Sequence, residues 1–412
     1  MSPVLRVRRV PLVQPVVAAL LASLVVALVS GCGALPGTRT DARPRPPGRQ
    51  FRHPGVLVSK AQLDTARDRV AAGKEPWLSA YLAMRDSRYG ALAYRPQPYA
   101  TVACPPGDEA GRGCVEERQD AIAAYTHALL WYLTGQRAHA RTAERIMDAW
   151  SATVRRHTEG NAALQAAWAG STWARAGEIV RHTGAGWPRA RAHRFAAMLR
   201  TVYLPEVTRR VPDYNGNWDL VMTDAATGIA VFLDDHRTFR KALARFHARV
   251  PAYFYLRSDG PLPATVPGFG ARNAAGIDTY WFGQHTFRDG LAQESCRNFM
   301  HVGYALAATG HIAETAWHQG IDLYGGVKDR LRAALELHSR YQLGEPAPRW
   351  LCGGHPELTL GPDLEVPLNH LANRLHIPLP RTGELARRMR PAGTDGLFVA
   401  WETLTNADNL GE

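Results

Sequence analysis

Apolar residues recur every three to four positions along most of the chain after residue 115, and this is the spacing of an amphipathic helix. In residues 117–134, for example, Ile122, Tyr125 and Leu129 follow this spacing, and Gly135 stands where helices commonly end. The same pattern, interrupted by Gly or Pro at most joints, predicts the following helices: Glu117–Thr134, Ala138–Val154, Ala162–His182, Arg189–Tyr203, Trp218–Leu233, Arg237–Arg249, Cys296–Thr309 and Ala313–Tyr341.

The alternation of apolar and polar residues that marks a half-buried strand is scarce. Only Ala252–Leu256 and the surroundings of Tyr280–Phe282 look extended. A dozen or so helices joined by short turns, without a strict repeat of about 34 or 40 residues, predict an all-α fold. We expect an (α/α) toroid, an incomplete barrel of helical hairpins, rather than an open solenoid.

Residues 256–292 interrupt the helical spacing of apolar residues. Within them a loop begins with Arg-Ser-Asp-Gly-Pro at 257–261 and runs through Gly268, Gly270 and Gly276 into an aromatic and polar segment around Tyr280 and His285. A long loop inside a compact helical protein usually carries function. We therefore predict one long active-site loop here.

The first 50 residues differ in composition from the rest of the chain. Arg6, Arg8 and Arg9 precede an apolar run at 16–29, and Leu-Val-Ser-Gly-Cys at 28–32 resembles the cleavage site of a lipoprotein. We predict a signal peptide (1–31), lipidation of Cys32, a tether rich in Pro, Arg and Gly (32–50) and one domain (51–412). The protein would then be an exported, cell-surface lipoprotein whose only link to the membrane is its lipid. The alternative is a plain secretory signal in which Cys32 is incidental.

The charge balance indicates an acidic partner outside the cell. The chain carries a formal charge of +12, and because residues 1–31 contain three arginines and no acid, the remainder carries +9. A basic exported protein suits an acidic polysaccharide, whereas no nucleic-acid-binding module is recognisable. A GC-rich genome also enriches arginine over lysine, so charge alone does not identify the partner.

Four cysteines follow Cys32. Cys104 and Cys114 bracket a loop rich in Pro and Gly, where an oxidising compartment favours a local disulfide. Cys296 and Cys352 are candidates for a second disulfide, and their spacing does not suit a zinc site. Buried free thiols remain the alternative for either pair.

One stretch of the chain gathers chemically active side chains. If residues 293–304 are helical, then Glu294, Arg297, His301 and Tyr304 share one face within a sector of roughly 80°. An acid, a guanidinium, an imidazole and a phenol in one stripe can bind a carboxylate and move a proton. The structural alternatives are a plain Glu294–Arg297 salt bridge and packing roles for the two rings.

A second cluster, Asp-Tyr-Asn-Gly-Asn-Trp-Asp at 213–219, precedes a predicted helix. Asn215 or Asn217 at such a position is commonly a helix cap. Two asparagines are more than a cap requires, and their amides can bind an anion at the helix N-terminus. Trp218 is then a candidate stacking surface for a sugar.

These and other motifs together resemble the alginate-lyase family of polysaccharide lyases. The resemblance runs from about His53 to Tyr341 and rests on His-Pro-Gly-Val-Leu-Val-Ser at 53–59, Gly-Lys-Glu-Pro-Trp at 73–77, Leu-Gln-Ala-Ala-Trp at 164–168, Asn-Gly-Asn-Trp at 215–218, Val-Phe-Leu-Asp-Asp at 231–235 and Gln-Glu-Ser-Cys-Arg at 293–297. It implies an (α/α) toroid with the polymer in a cleft across one end. It also implies cleavage of a 1,4-linked polyuronate, alginate or a related polymer, by β-elimination without a metal or other cofactor.

The resemblance also implies roles for single residues. Asn215 and Asn217 match the family's carboxylate-binding asparagine, although its best-known branch has Asn-His where this chain has Asn-Gly-Asn, and Arg297 matches its arginine. Neutralising the sugar carboxylate stabilises the enolate-like intermediate that forms when the C5 proton leaves. The proton-transfer residues and their helpers stay open among several positions: His301 or Tyr304 as base; Tyr304, Tyr280 or His285 as acid; Glu294 orienting a neighbour; and Gln165 facing the cleft.

Two other functions fit the same sequence. A toroid of this kind can also hydrolyse glycosides, but this needs two carboxylic acids at the scissile bond, and no pair stands out among Asp213, Asp219, Asp278, Asp289 and Glu294. A surface lipoprotein that binds acidic polysaccharide without cleaving it would need only the aromatic and basic residues. We expect a monomer in each case.

Overall fold

The computed structural model describes residues 50–107, 111–210, 216–268 and 273–411. The signal peptide, Cys32 and all of the tether but Gln50 lie outside the described residues, as does Asn215. Within these ranges nearly all regular structure is helical, so the predicted all-α fold is confirmed.

Fifteen α-helices lie in the described residues. They are α1 (Lys60–Ala71), α2 (Trp77–Asp86), α3 (Cys114–Thr134), α4 (Arg137–Thr153), α5 (Ala162–His182), α6 (Arg189–Met198), α7 (Leu204–Thr208), α8 (Gly216–Phe232), α9 (His236–Tyr253), α10 (Ala274–Tyr280), α11 (Phe299–His318), α12 (Tyr324–Gln342), α13 (Glu365–Leu368), α14 (Pro380–Met389) and α15 (Glu402–Asn406). Short 3₁₀ turns lie at Arg88–Gly90, Arg257–Asp259 and Cys352–Gly354, and π-helical turns at Leu199–Tyr203 and Asn369–Arg374.

Four helices, α3, α5, α8 and α11, form the inner layer. Nearly every residue of α5, α8 and α11 is buried, and the four pack side by side in chain order. Their many Ala and Gly residues let the helices approach closely. A Cβ on Gly177 of α5, for example, would lie 2.9 Å from the Phe232 ring at the end of α8.

The outer helices bury only one stripe each. In α4 the buried side chains include Ile146, Met147 and Trp150, and in α9 they include Phe239, Leu243 and Phe246, each set at helical spacing. α4 packs on α3, and α9 packs on α8. This pairing of a buried inner helix with an amphipathic outer helix produces the layers of an (α/α) toroid.

The four inner helices run in the same direction. Their C-terminal ends are joined by contacts such as that of Trp131 of α3 with Thr183 just after α5, 3.1 Å apart, and that of Arg181 of α5 with the Phe232 carbonyl, 3.1 Å apart. The N-terminal segment reaches the same end of α11, where the Leu57 amide donates to Thr315 Oγ1 at 3.0 Å. Their N-terminal ends therefore meet at the opposite end of the toroid.

The described residues contain little β-structure. Strands β1 (Thr101–Ala103) and β2 (Arg156–Thr158) form a two-stranded parallel sheet, which the sequence pattern did not indicate. The expectation of extended structure at Ala252–Leu256 is wrong in its first half, because α9 continues to Tyr253 before Phe254 pairs with Ala292.

Three other expectations from the pattern need correction. Tyr280 ends helix α10 and is not extended, and α10 together with the turn at 257–259 gives the predicted loop its own helical structure. The predicted helix Ala313–Tyr341 is two helices, α11 and α12. Gly320 separates them with φ +81°, a left-handed conformation that glycine adopts without strain.

The predicted helix Cys296–Thr309 starts three residues later than expected. Asn298 is its N-cap, because the Asn298 side chain accepts a hydrogen bond from the His301 amide at 3.1 Å. Glu294 and Arg297 consequently lie in a turn before the helix, and the single helical stripe from Glu294 to Tyr304 does not exist.

Two disulfides tie loops to the helices. Cys104 pairs with Cys114 at the start of α3, and Cys296 pairs with Cys352. The second disulfide holds the turn before α11 against the segment that follows α12. None of the helices in the described ranges combines the length and the apolarity needed to cross a lipid bilayer.

Candidate active site

A cavity of about 610 Å³ opens at the end of the toroid where the inner helices begin. Each inner helix contributes residues from its first two turns: Cys114 and Arg118 from α3; Leu164, Gln165 and Trp168 from α5; Asn217 and Trp218 from α8; and Met300, His301 and Tyr304 from α11. Backbone N–H groups and the positive ends of four helix dipoles are therefore close to this cavity, an arrangement that favours an anionic ligand.

Glu294 lies beside the cavity and organises two of its walls. Its side chain is buried, and Oε2 accepts hydrogen bonds from Asn217 Nδ2 at 2.6 Å, from the Asn217 amide at 3.2 Å and from the Tyr253 hydroxyl at 2.9 Å. Its other oxygen, Oε1, lies 2.8 Å from Arg297 Nη1. One buried carboxylate thus positions both the amide of α8 and the guanidinium that precedes α11.

Arg297 lines the cavity with a side chain that is 40% exposed. Its ion pair with Glu294 fixes one edge of the guanidinium. A planar guanidinium carries five N–H donors, so donors other than the one bound to Glu294 remain to bind a carboxylate. The salt bridge and the binding role are therefore compatible at this position.

His301 is partly buried, and its tautomer is fixed by a neighbour. Asn298 Oδ1 lies 2.5 Å from His301 Nδ1 and also accepts from the His301 amide, so Nδ1 carries the proton that it donates to this oxygen. Burial lowers the pKa of His301 to about 4, against an opposing effect of Glu294. His301 is therefore neutral at pH 7, with its lone pair on Nε2.

Tyr304 lies one turn further along α11 and also lines the cavity. The residue is 9% exposed, and the ring centroids of His301 and Tyr304 are 5.8 Å apart. An imidazole and a phenol on the same wall can act on two neighbouring atoms of one substrate.

The N-terminus of α8 forms the cavity wall next to α11. Asn217 is buried and bonded to Glu294, and Trp218, which is partly buried, lines the same cavity. Gly216 is required by close packing, because a Cβ there would lie 2.5 Å from both Gln293 Oε1 and a Tyr253 ring carbon. Asn215 lies outside the described residues.

Gln165 lines the cavity, but its amide is already engaged. Nε2 donates to Glu117 Oε2 at 2.7 Å and to the Cys114 carbonyl at 2.9 Å, and Oε1 accepts from Arg118 at 3.1 Å. Arg118 in turn lies over the Trp168 ring, 5.4 Å from its centroid. Gln165 thereby positions a second cavity arginine, Arg118, which no sequence motif marks.

Two sequence candidates do not line the cavity. The Tyr280 hydroxyl accepts from Arg249 at 3.1 Å, within a network in which Arg249 also bonds Asp219 at 2.8 Å. His285 is 78% exposed and lies 3.1 Å from the Gly283 carbonyl. Neither Tyr280 nor His285 is among the described residues that line the cavity, although the ring centroid of Phe282 in the same loop lies 5.9 Å from Arg297 Cζ.

Asp395 also lines the cavity, although the sequence gives no pattern that marks it. Its Oδ1 accepts from the amides of residues 397, 398 and 399 at 2.8–3.0 Å, and Oδ2 is buried without a hydrogen-bond partner. Burial raises the pKa of Asp395 to about 6. Among the described residues that line the cavity, Asp395 is the one that carries a carboxyl group.

A buried hydrogen-bond network holds the segment that contains Asp395 against the inner helices. Arg175 of α5 donates to the Phe398 carbonyl at 2.7 Å and to Asp224 Oδ2 at 2.8 Å. His311 of α11 bridges Asp224 and Glu402 at 3.2 and 2.7 Å. These contacts fix the C-terminal segment against three of the inner helices.

No set of three metal-ligating side chains converges in the part of the cavity that the structure describes. The one such set found among the described residues is His53, Glu178 and His182, at the C-terminal end of α5. Because α5 rises about 1.5 Å per residue, Glu178 lies about 21 Å along the helix from Leu164 in the cavity wall.

Comparison with known proteins agrees with this geometry. The model of the alginate lyase family matches residues 104–348, more than half of the chain, so the chain belongs to the alginate lyase family. This makes it a polysaccharide lyase, as the sequence motifs predicted. A search of curated proteins finds no match to the chain.

Several solved structures share the fold. Alginate lyase A1-III from Sphingomonas species A1 is 17% identical, with a TM-score of 0.57 over 86% of this chain and 99% of that one. A variant of alginate lyase A1-III complexed with tetrasaccharide is 18% identical, with a TM-score of 0.55 over 85% and 94%. An alginate lyase from Bacteroides ovatus is 12% identical, with a TM-score of 0.53 over 84% and 97%. At these identities the likeness shows the shared fold.

Proposed function

We propose that the protein cleaves a 1,4-linked polyuronate, alginate or a closely related acidic polysaccharide, by β-elimination in the cavity at the N-terminal ends of the inner helices. One observation carries this proposal: Asn217, Arg297, His301 and Tyr304 line the same cavity. The first two can bind a sugar carboxylate, and the last two can move protons. The alginate and tetrasaccharide named for the related structures agree with such a substrate.

The first requirement is neutralisation of the uronate carboxylate. The C5 proton is poorly acidic while the adjacent carboxylate keeps its full charge, and donors directed at that group stabilise the enolate-like intermediate. Arg297 and Asn217 supply these donors, and Glu294 holds both in place. The helix N-termini around the cavity contribute in the same direction.

The second requirement is a base. His301 is neutral, and its Nε2 carries the lone pair because Asn298 holds the proton on Nδ1. His301 Nε2 takes the C5 proton, and the electrons of the C5–H bond form the C4=C5 double bond. An anionic sugar close to the ring raises the basicity of the imidazole above that in the free enzyme.

The third requirement is an acid for the departing oxygen. As the C4–O4 bond breaks, the Tyr304 hydroxyl gives its proton to O4, which becomes the new chain end. The phenolate of Tyr304 then recovers a proton from the imidazolium of His301 or from water. The cycle is balanced, because one proton leaves C5 and one reaches O4.

Glycoside hydrolysis is a weaker account of the same cavity. It needs two carboxyl groups across the scissile bond. Asp395 alone supplies one among the described lining residues, and Glu294 is fully occupied by Asn217, Tyr253 and Arg297.

The decisive experiment is incubation of the purified protein with polymannuronate, polyguluronate, glucuronan and a neutral glucan. Rising ultraviolet absorbance from a C4=C5 unsaturated uronate is the expected result with one of the acidic polymers. New reducing ends without that absorbance would establish hydrolysis instead. Polymer binding without any new chain ends would leave a binding protein.

We also propose that the protein is an exported lipoprotein held at the outer face of the membrane through Cys32. The basic, apolar and Leu-Val-Ser-Gly-Cys segments at the N-terminus support this. Cells fed a labelled fatty acid should yield labelled full-length protein in the membrane fraction, whereas Cys32→Ser should give unlabelled protein. Equal labelling of both would contradict the proposal.

A further inference from the structure

Two histidines and a carboxylate converge at the end of the toroid opposite to the cavity. His53 Nδ1 lies 2.9 Å from Glu178 Oε1, and His182 Nε2 lies 3.6 Å from the same oxygen. Glu178 is completely buried, and His182 follows it by four residues, so both project from one face of α5. The three ligand atoms lie within 4.8 Å of one another.

An unsatisfied atom indicates that this cluster is incomplete as it stands. His182 Nε2 is buried and has no hydrogen-bond partner among the described residues. A buried ring nitrogen normally finds a partner, because leaving it without one costs free energy. A metal ion at the centre of the cluster would supply that partner.

The surroundings resemble the support that metal ligands receive. Asp234 Oδ1 lies 3.2 Å from His53 Nε2, and the Gly55 amide donates to Glu178 Oε2 at 3.0 Å. A carboxylate on the far nitrogen of a ligating histidine fixes its tautomer and orientation, and hydrogen bonds to ligating carboxylates do the same. Asp234 therefore leaves His53 Nδ1 as the nitrogen that faces Glu178.

We propose that His53, Glu178 and His182 bind one divalent transition-metal ion, with zinc as the best-fitting example. Two imidazoles and one carboxylate are a ligand set that zinc accepts, with water completing the tetrahedron. Zinc bonds of about 2.0 Å place tetrahedral ligands about 3.3 Å apart. The observed separations of 2.9 and 3.6 Å lie on either side of that value.

Binding requires one local change. The rings of His53 and His182 are stacked, with centroids 4.2 Å apart and planes 9° from parallel, so a single ion cannot lie in both ring planes. His182 is the last residue of α5, its side chain is 24% exposed, and it borders a surface groove of about 370 Å³. The His182 ring therefore has room to rotate toward the ion, and this rotation would separate it from the His53 ring.

The ion would fasten the N-terminal segment to the toroid. His53 belongs to the irregular segment before α1, whereas Glu178 and His182 belong to α5. An ion that binds only the folded arrangement raises stability by mass action. It takes no part in the elimination reaction, because the site lies about 21 Å from the cavity along α5.

The test is zinc titration of the chelator-treated full-length protein by calorimetry, together with thermal melting. We expect one saturable zinc site per chain and a rise in melting temperature that a chelator reverses. In His182→Ala the site and the rise should both be lost. Without zinc this variant should melt close to the wild-type protein, because His182 Nε2 makes no hydrogen bond there.

The matched control is His193→Ala, which removes an exposed histidine of α6 and should bind zinc like the wild-type protein. Absence of stoichiometric binding by the wild-type protein would overturn the proposal and leave an ordinary ion pair between His53 and Glu178. Undiminished binding by His182→Ala, or equal loss in both variants, would overturn it as well. The lyase assay is a separate readout, and neither zinc nor the chelator should change it.

Discussion

At the scale of single residues, the site depends on side chains that fix other side chains. Glu294 sets the positions of Asn217 and Arg297, and Asn298 selects the tautomer of His301. Neither role is visible in a list of residue types. Both roles become visible only in the hydrogen bonds, in which the Glu294 carboxylate accepts from Asn217 and from Arg297, and Asn298 Oδ1 accepts from His301 Nδ1.

The two proton-transfer residues can be separated by substitution. We expect His301→Ala and Tyr304→Phe each to reduce kcat by about 10²–10⁴-fold, the range typical of lost general acid–base catalysis, with little change in KM. His285→Ala should retain activity, since this side chain lies in solvent outside the cavity. Initial rates of unsaturated product formation measure all three.

An active His301→Ala variant beside an inactive Tyr304→Phe variant would contradict the assigned base. Tyr304 would then perform both proton transfers.

The tautomer of His301 gives a prediction about pH. The base works only when neutral, so kcat/KM of the wild-type protein should fall as the pH drops through about 4, the pKa of His301 in the free protein. Asn298→Asp keeps a good helix cap but places a carboxylate on Nδ1–H, which stabilises the imidazolium and raises this pKa.

The acidic limb of the Asn298→Asp profile should therefore move to higher pH by about one unit or more. Profiles of kcat/KM from pH 3.5 to 8 measure the shift, and circular dichroism checks the fold. Superimposable limbs for the two proteins would show that Asn298 does not control the base.

Residue roles were only partly predictable from the sequence. Arg297, His301 and Tyr304 do share a cavity wall, but the assumed single helix is wrong because Asn298 starts α11 after Arg297. Arg118 and Asp395 gave no pattern in their own segments. They reach the cavity only because the toroid brings residues far apart in sequence to the same end.

At the scale of helices, close packing explains the unusual Asn-Gly-Asn motif before Trp218. Gly216 lets the first turn of α8 lie against Gln293 and Tyr253, the neighbours of Glu294. A small residue there brings the Asn217 amide within reach of the Glu294 carboxylate.

We expect Gly216→Ala to lower the free energy of unfolding by about 1–3 kcal/mol, as overpacking of a dense core does, and to reduce activity as well. The matched control is Gly326→Ala in α12. A Cβ at this exposed position meets nothing within 4 Å, so that change should be neutral or slightly stabilising. Denaturant unfolding of both variants measures the difference, and equal stabilities would refute the packing argument.

Helix positions were the most predictable feature of the fold. The bounds of α5 match the prediction from periodicity, and Gly135 ends α3 in the left-handed conformation as expected. One error has a simple cause. Apolar residues continue at helical spacing across the break, at Trp317, Ile321 and Tyr324, so periodicity alone does not show the end of α11 before Gly320.

At the scale of the whole molecule, several buried histidines are kept neutral by the fold. Burial lowers the pKa of His127 to about 3 and of His338 to about 4. His338 is bonded on both sides, by the Ala334 carbonyl at 2.7 Å and by Ser295 Oγ at 2.9 Å. Such groups take up protons on unfolding whenever the pH lies below about 6.5, the ordinary pKa of histidine.

The free energy of unfolding should therefore fall as the pH drops from 6.5 toward 4. For His338 alone the loss amounts to about 3 kcal/mol when the full shift is developed. Asp395, whose pKa is raised, acts in the opposite direction between pH 6 and 4, so the comparison must isolate one group.

His338→Gln supplies that comparison. Urea unfolding at pH 7, 6, 5 and 4.5 should show a shallower loss of stability in the variant than in the wild-type protein. Parallel pH dependences would mean that His338 does not contribute.

The common direction of the inner helices also sets where the chain enters the domain. Leu57 and Gly55 contact the ends of α11 and α5 that lie farthest from the cavity, through Thr315 and Glu178. Any pull on the chain through residue 50 is therefore applied to the face opposite the opening. Under the proposed anchoring through Cys32, the point where the chain is held and the opening of the cavity would lie on opposite faces of the domain.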